Sequence, residues 1–192
     1  MTLLLPPTID RVLEAERDFD SDPETLIDEC ALAKLFKTFP ENTDPTEVLF
    51  KAAALNALYS TNIYALRPVS RHIVDRCIDP LLAIGSPDAL DLIADFRHLG
   101  KRRHIFSFAT KYCSWHKPDC YPIYDRFVDC SLRAYRKQEC FTSFVDEDLR
   151  CGASFVRVVT AFRDFYKLHA VTFKQLDKFL WRQGRTLANT DT

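Results

Sequence analysis

Between Phe96 and Val128 the chain gathers side chains whose types and spacing can do chemistry. Lys111 sits in the run Phe106-Ser107-Phe108-Ala109-Thr110-Lys111-Tyr112, and Asp125 closes the run Tyr121-Pro122-Ile123-Tyr124-Asp125. An amine becomes a nucleophile when burial strips it of its proton. With Phe106, Phe108, Ala109 and Tyr112 around it, Lys111 is expected to point to solvent, and a desolvated nucleophile is the alternative. A carboxylate placed like Asp125 can stabilise a developing cation and deprotonate water, or it can cap the helix that follows. Cys113, His116 and Cys120, at i, i+3 and i+7, can share one helical face. They lack a fourth ligand, so they read as buried thiols and a histidine, and neither metal nor cofactor is expected. No Gly-rich phosphate loop, Ser-His-Asp order or H-E-x-x-H segment occurs, so nucleotide hydrolysis and zinc proteolysis are unsupported.

Upstream of Lys111 lies Phe96-Arg97-His98-Leu99-Gly100-Lys101-Arg102-Arg103. Two helices joined by a short Gly turn can aim backbone N–H groups at a phosphate, and this segment reads as one helix ending near Gly100 and another starting about two residues later. With that turn and the Pro-bearing loop Tyr121 to Asp125, the sequence resembles the helix-hairpin-helix DNA glycosylase superfamily. Ala54-Leu55-Asn56-Ala57-Leu58-Tyr59-Ser60-Thr61-Asn62 resembles the apolar helix and polar turn that line the base pocket of that superfamily. The similarity spans residues 45–135. It implies duplex DNA as partner and hydrolysis of the N-glycosidic bond of a modified base. Asp125 would stabilise the sugar cation. Gly100, Lys101, Arg102 and Arg103 would hold the backbone, and Tyr59, Asn62, Trp115, Tyr121 and Tyr124 would line the pocket for an extruded base. The alternative is a DNA- or protein-binding helical module with a degenerate site.

The sequence departs from the superfamily pattern in three places. The hairpin has one glycine where two are usual, and Lys101, Arg102 and Lys111 compete for the lysine position. Only 64 residues separate Thr61 from Asp125, so the intervening helical lobe must be short. The C-terminal four-cysteine loop is absent, so no iron–sulfur cluster is expected.

The elements that must position these groups read as helices. Apolar residues make up 47% of the 192, with fifteen Phe and only four Gly, which argues against disorder and against turn-rich sandwiches or barrels. Asp22-Pro23, Asp44-Pro45 and Ser86-Pro87 each set a capping residue before a Pro, and Thr172 to Gln175 resembles a capping box. About nine helices follow, near 8–17, 23–39, 46–59, 68–84, 87–97, 102–116, 124–137, 151–166 and 173–183. The last is expected to stop at Gly184, leaving 187–192 as a frayed tail. The fold expected is all-α, one compact domain over 1–192, with a glycosylase-like core at 45–135 and flanking helices at 1–44 and 136–186.

Seven cysteines at irregular spacing without a C-x-x-C pair suggest reduced thiols. Leu3-Leu4-Leu5 meets Pro6-Pro7 with no basic segment before it, so neither a signal peptide nor a membrane span is read there, and a cytoplasmic location is expected. Residues 1–96 carry 8 Lys/Arg against 17 Asp/Glu, whereas residues 97–192 carry 18 against 10. The basic half fits a polyanion-binding face, or else a surface complementary to the acidic half.

Overall fold

The computed structural model describes residues 4–190, so Leu3 and the last two residues of the expected tail lie outside the described residues. The chain is mostly helical. In order come α1 (Ile9–Asp20), α2 (Pro23–Thr38), α3 (Pro45–Leu58), α4 (Leu66–Asp75), α5 (Asp79–Ile84), α6 (Asp88–Ala94), β1 (Asp95–His98), β2 (Lys101–His104), α7 (Phe106–His116), α8 (Arg126–Glu139), a 3₁₀ turn (Asp146–Arg150), α9 (Gly152–Phe165) and α10 (Phe173–Thr190). Among the described residues this makes ten α-helices and one two-stranded antiparallel sheet. No helix among them is long and apolar enough to cross a membrane.

The capping signals work as local chemistry. Asp22 and Asp44 accept from the Glu24 and Thr46 amides, each with Pro in the first turn. Thr172 and Gln175 form the reciprocal box, Gln175 N donating to Thr172 Oγ1 at 3.2 Å and Thr172 N to Gln175 Oε1 at 2.8 Å.

Four expectations need correction. The helix expected over 68–84 breaks at Cys77, whose φ of 46° lies in the left-handed region, and α5 restarts just ahead of Pro80. The helix-turn-helix expected around Gly100 is a β-hairpin: α6 stops at Ala94, and Asp95, Phe96, Arg97 and His98 pair with His104, Arg103, Arg102 and Lys101. Leu99 and Gly100, at φ 50° and 72°, make the two-residue turn whose positive φ values match strand twist. Gly100 therefore joins strands, and the backbone groups on either side of it are committed to the ladder.

The last helix also differs from expectation. It runs through Gly184 to Thr190, so residues 187–190 are helical. Gly184 is a point of close approach: a Cβ there would overlap the Phe127 carbonyl, and its absence lets α10 lie against the start of α8. Packing against α8 and α1 holds α10 beyond the point where an isolated helix would end.

A buried polar knot fixes α7, the helix that carries Lys111. Lys51 of α3 is fully buried, and its Nζ donates to Phe39 O at 3.0 Å, Glu41 O at 2.8 Å and Asn42 Oδ1 at 2.8 Å. Asn42 Oδ1 also accepts from the Tyr112 hydroxyl, and Asn42 N donates to Asp79 Oδ2 at 2.9 Å. His116 Nε2 stands 3.4 Å from Lys51 Nζ. Lys51, Asn42, Asp79, Tyr112 and His116 thus tie α3, α5 and α7 to the 39–44 loop. Burial first, and then the Lys51 charge, push His116 down to about 3. Burial likewise lowers Lys51 to about 8, opposed by Asp79 and Glu47.

Two outcomes follow for stability. Gly184→Ala forces α10 off α8 and should destabilise the protein by about 1–3 kcal/mol, read from urea unfolding midpoints. His116 binds its proton less readily folded than unfolded, so its contribution is complete above about pH 6.5 and is lost as pH falls towards 3. Unfolding free energy should drop by up to ~1.4 kcal/mol per pH unit in that window. His116→Gln should flatten that slope, and an unchanged slope would contradict the assignment.

Candidate functional site

Lys111 lies one residue before Tyr112 in α7 and projects from a different face than the knot residues do. It is buried rather than pointing to solvent, with 4% of its surface exposed, because neighbouring elements cover both faces of α7. Its Nζ donates to Ser107 Oγ, one turn back, at 2.8 Å and to Tyr124 O at 3.2 Å, and it sits 5.6 Å from the centre of the Tyr59 ring. The loop that follows α7 doubles back along it: Thr110 Oγ1 accepts from Tyr124 N at 3.0 Å, so two consecutive α7 side chains grip both backbone groups of Tyr124. That grip delivers Asp125 to the same place.

Asp125 caps α8. Its Oδ1 accepts from Phe127 N at 2.8 Å and Val128 N at 2.9 Å. Both capping bonds fall on one oxygen, so the second is not needed for the cap. Beside it a cavity of about 860 Å³ opens, within the range of small-molecule sites. α7 contributes Ser107 and Lys111, the loop and α8 contribute Ile123 to Phe127, and the turn after α3 contributes Leu58 to Asn62. The far wall comes from α1 and α2 (Phe19, Thr25, Asp28, Glu29, Leu32) and from α10 (Lys174, Asp177, Lys178, Trp181), with Arg150 at one edge.

The cavity holds an amine between two carboxyl groups. Burial drives the Lys111 amine below the ordinary lysine range, while Asp125 and Asp177 pull it back up. Asp177, on α10, has a fully buried Oδ1 that accepts no hydrogen bond. Burial, and then the Asp125 charge, hold its carboxyl well above the ordinary carboxylate range, against Lys111 and Lys178. Burial likewise raises the Tyr59 phenol. Lys174 and Lys178 are spoken for, Lys174 by Glu29 at 3.0 Å and Lys178 by Asp20 at 2.6 Å. Arg126 is an exposed cation at the rim, its guanidinium 4.5 Å from the centre of the Phe127 ring.

The residues singled out in the sequence separate in space. Asp125, Lys111, Tyr59, Asn62 and Tyr124 all line this cavity. Asn62 does so from a left-handed turn (φ 57°) that Asn56 staples, its Oδ1 accepting from Ile63 N at 2.7 Å and from Thr61 Oγ1 at 2.9 Å. The Tyr124 hydroxyl is committed to Asp129 Oδ2 at 2.8 Å. Trp115 instead lines a small neighbouring void of about 60 Å³ with Tyr59, under the Lys174 ammonium at 4.4 Å. Tyr121 is wholly in the core, its hydroxyl donating to Ser86 O at 2.9 Å, and has no place in the cavity.

Lys101, Arg102 and Arg103 are exposed on the hairpin and do not line the cavity, and Arg102 Nε pairs with Asp95 Oδ1 at 2.6 Å. Arg150 borders both the cavity and the hollow under the hairpin formed with Asp95, Arg102 and His104. Among the described residues no group of three or more His, Cys, Asp and Glu could hold a metal ion. Cys113 of the i, i+3, i+7 series is fully buried, and its thiol is raised by that burial.

Sequence reasoning missed Asp177, Ser107, Phe127 and Trp181. Ser107 and Lys111 are i, i+4 partners on one helix face, a signal available from spacing. Asp177 sits beside Leu176, Phe179 and Leu180, an acid next to an apolar stripe, and its cavity position depends on how α10 meets α8.

Residues 10–120 match the family model HI_0787_N, described as an N-terminal domain, a span that includes Lys111 and ends before Asp125. An uncharacterized protein of Haemophilus influenzae is 35% identical over 133 residues, which is 69% of this chain. The chain spans 63% of that relative's length. No solved structure matches. With more than half of its length under that model, the chain belongs to the HI_0787_N family of N-terminal domains.

Proposed function

We propose that this protein is a DNA glycosylase-like enzyme that acts on a modified base in duplex DNA, using Lys111 as nucleophile and Asp125 as its electrostatic partner. One observation supports this reading above the others: a desolvated lysine amine and an aspartate share a cavity large enough for an extruded nucleoside. Cleavage of an N-glycosidic bond builds positive charge on the sugar, and a nearby carboxylate stabilises it. An amine with a lowered proton affinity can attack C1′ as the base departs and then form an imine with the opened sugar. Phe127, Trp181 and Tyr59 offer ring faces on which an extruded base can stack. On this reading the resemblance to the helix-hairpin-helix superfamily rests on Lys111, Asp125 and the Tyr59 to Asn62 turn. The hairpin is a basic β-ribbon, which grips phosphates through Arg97, Lys101 and Arg103 side chains where backbone amides would otherwise serve.

A binding-only reading has one observation in its favour, the use of Asp125 Oδ1 as a helix cap. Trapping separates the two readings. Duplexes bearing an oxidised, alkylated or deaminated base, or an abasic site, incubated with the protein and sodium borohydride should give a covalent protein–DNA adduct on a denaturing gel. Lys111→Gln should lose the adduct, and Asp125→Asn should slow turnover by about 100-fold or more while leaving DNA affinity unchanged. Salt-dependent binding with neither adduct nor released base on any duplex would leave only the binding module. Replacing Lys101 and Arg103 by Gln should lower the slope of log affinity against log salt by about 0.9 for each phosphate that these side chains no longer neutralise. An unchanged slope would remove the hairpin from the interface.

A further inference from the structure

Asp177 is a half-buried carboxyl of the cavity that nucleophilic attack and cation stabilisation do not use. It comes from α10, outside the span matched by the family model, and lines the cavity where α10 packs against α8, an approach for which Gly184 leaves room. Its Oδ1 is fully buried and accepts no hydrogen bond. A carboxylate oxygen buried without a donor is costly as an anion, which favours the protonated form. Among its charged neighbours Asp125 opposes ionisation of Asp177 most, and Asp125 Oδ1 itself accepts from two amides at the N-terminus of α8. The Lys178 ammonium, which would favour charge on Asp177, is held by Asp20 at 2.6 Å and Glu29 at 3.4 Å. In a shared site, a carboxyl whose surroundings disfavour its charged form is the one suited to act as an acid.

Resting on the glycosylase reading, we infer that Asp177 is the general acid of this cavity, donating its proton to the departing base while Lys111 attacks C1′. The step balances. The Lys111 amine lone pair forms the new N–C1′ bond, the old C1′–N pair leaves with the base, and the Asp177 proton moves onto that base nitrogen. Asp177 is left as a carboxylate beside a secondary ammonium on C1′. The ammonium returns one proton to Asp177; the neutral amine lone pair then forms the C1′=N bond while the C1′–O4′ pair leaves with O4′, which takes the second amine proton, giving the open-chain imine. No oxidant, reductant or metal takes part. The assignment also bears on the substrate: a base that leaves as an anion needs this acid, whereas a base already cationic through alkylation does not.

The test separates base release from strand cleavage. Asp177→Asn should slow release of a neutral oxidised or deaminated base by about 100-fold or more. It should leave borohydride trapping and strand cleavage at a pre-formed abasic site, where no base departs, within about threefold of wild type. Asp177→Glu should recover part of the release. Equal losses on both substrates, or undiminished base release, would overturn the role of Asp177. Should Asp177→Asn fail to fold, as judged by its thermal melt, the wild-type pH profile decides: release of a neutral base should fall at alkaline pH while abasic cleavage does not, and parallel profiles would overturn the assignment. Failure of the wild-type protein to form an adduct on any duplex would sink the glycosylase reading itself, a result distinct from either of these.

Discussion

The constraint on which the rest of this structure depends is the double-sided burial of α7. Eight of its eleven residues are buried, Lys111 among them, so its polar groups must find partners inside the protein. On one face Tyr112 and His116 enter the knot with Asn42 and Lys51. On the other, Thr110 and Lys111 take hold of the Tyr124 backbone. The two faces of α7 therefore anchor two separate pieces of chain. The 39–44 loop, α5 and the 121–125 loop all take their positions from the same eleven residues.

That arrangement explains how a desolvated amine comes to share a partly closed space with two carboxyl groups. Lys111 cannot swing out to water without releasing Tyr124. Asp125 cannot move without uncapping α8. Asp177 is brought in by α10, whose close approach to α8 relies on the missing side chain at Gly184. The cavity is thus built from stretches of sequence as far apart as α1 and α10 and held by buried or partly buried hydrogen bonds. Such prepositioning lets charge separation during a reaction be met by groups that need not reorganise.

The hairpin illustrates how a similar location can be filled by different backbone. Residues 95–104 occupy the position between α6 and α7 where a turn between helices was expected, and they keep its basic character while changing its hydrogen bonding. Leu99 at φ 50° lies in a region usually left to Gly, Asn or Asp, and it is 85% exposed. The two positive φ values make a turn whose backbone follows the twist of the strands.

The sequence by itself determined the helical class, most helix starts, the pocket turn at Tyr59 to Asn62, and Asp125 at the mouth of a helix. These are local matters: a capping side chain, a proline or a glycine acts within about four residues of itself. What tertiary structure decided was long-range. It converted Lys111 from an expected surface residue into a buried amine, because burial depends on what covers a helix and not on the helix. It withdrew Tyr121 into the core and turned Gly184 from a stop into a seat for α8. It also brought Asp177, 52 residues after Asp125, into the cavity, since no periodicity within α10 records where α8 lies.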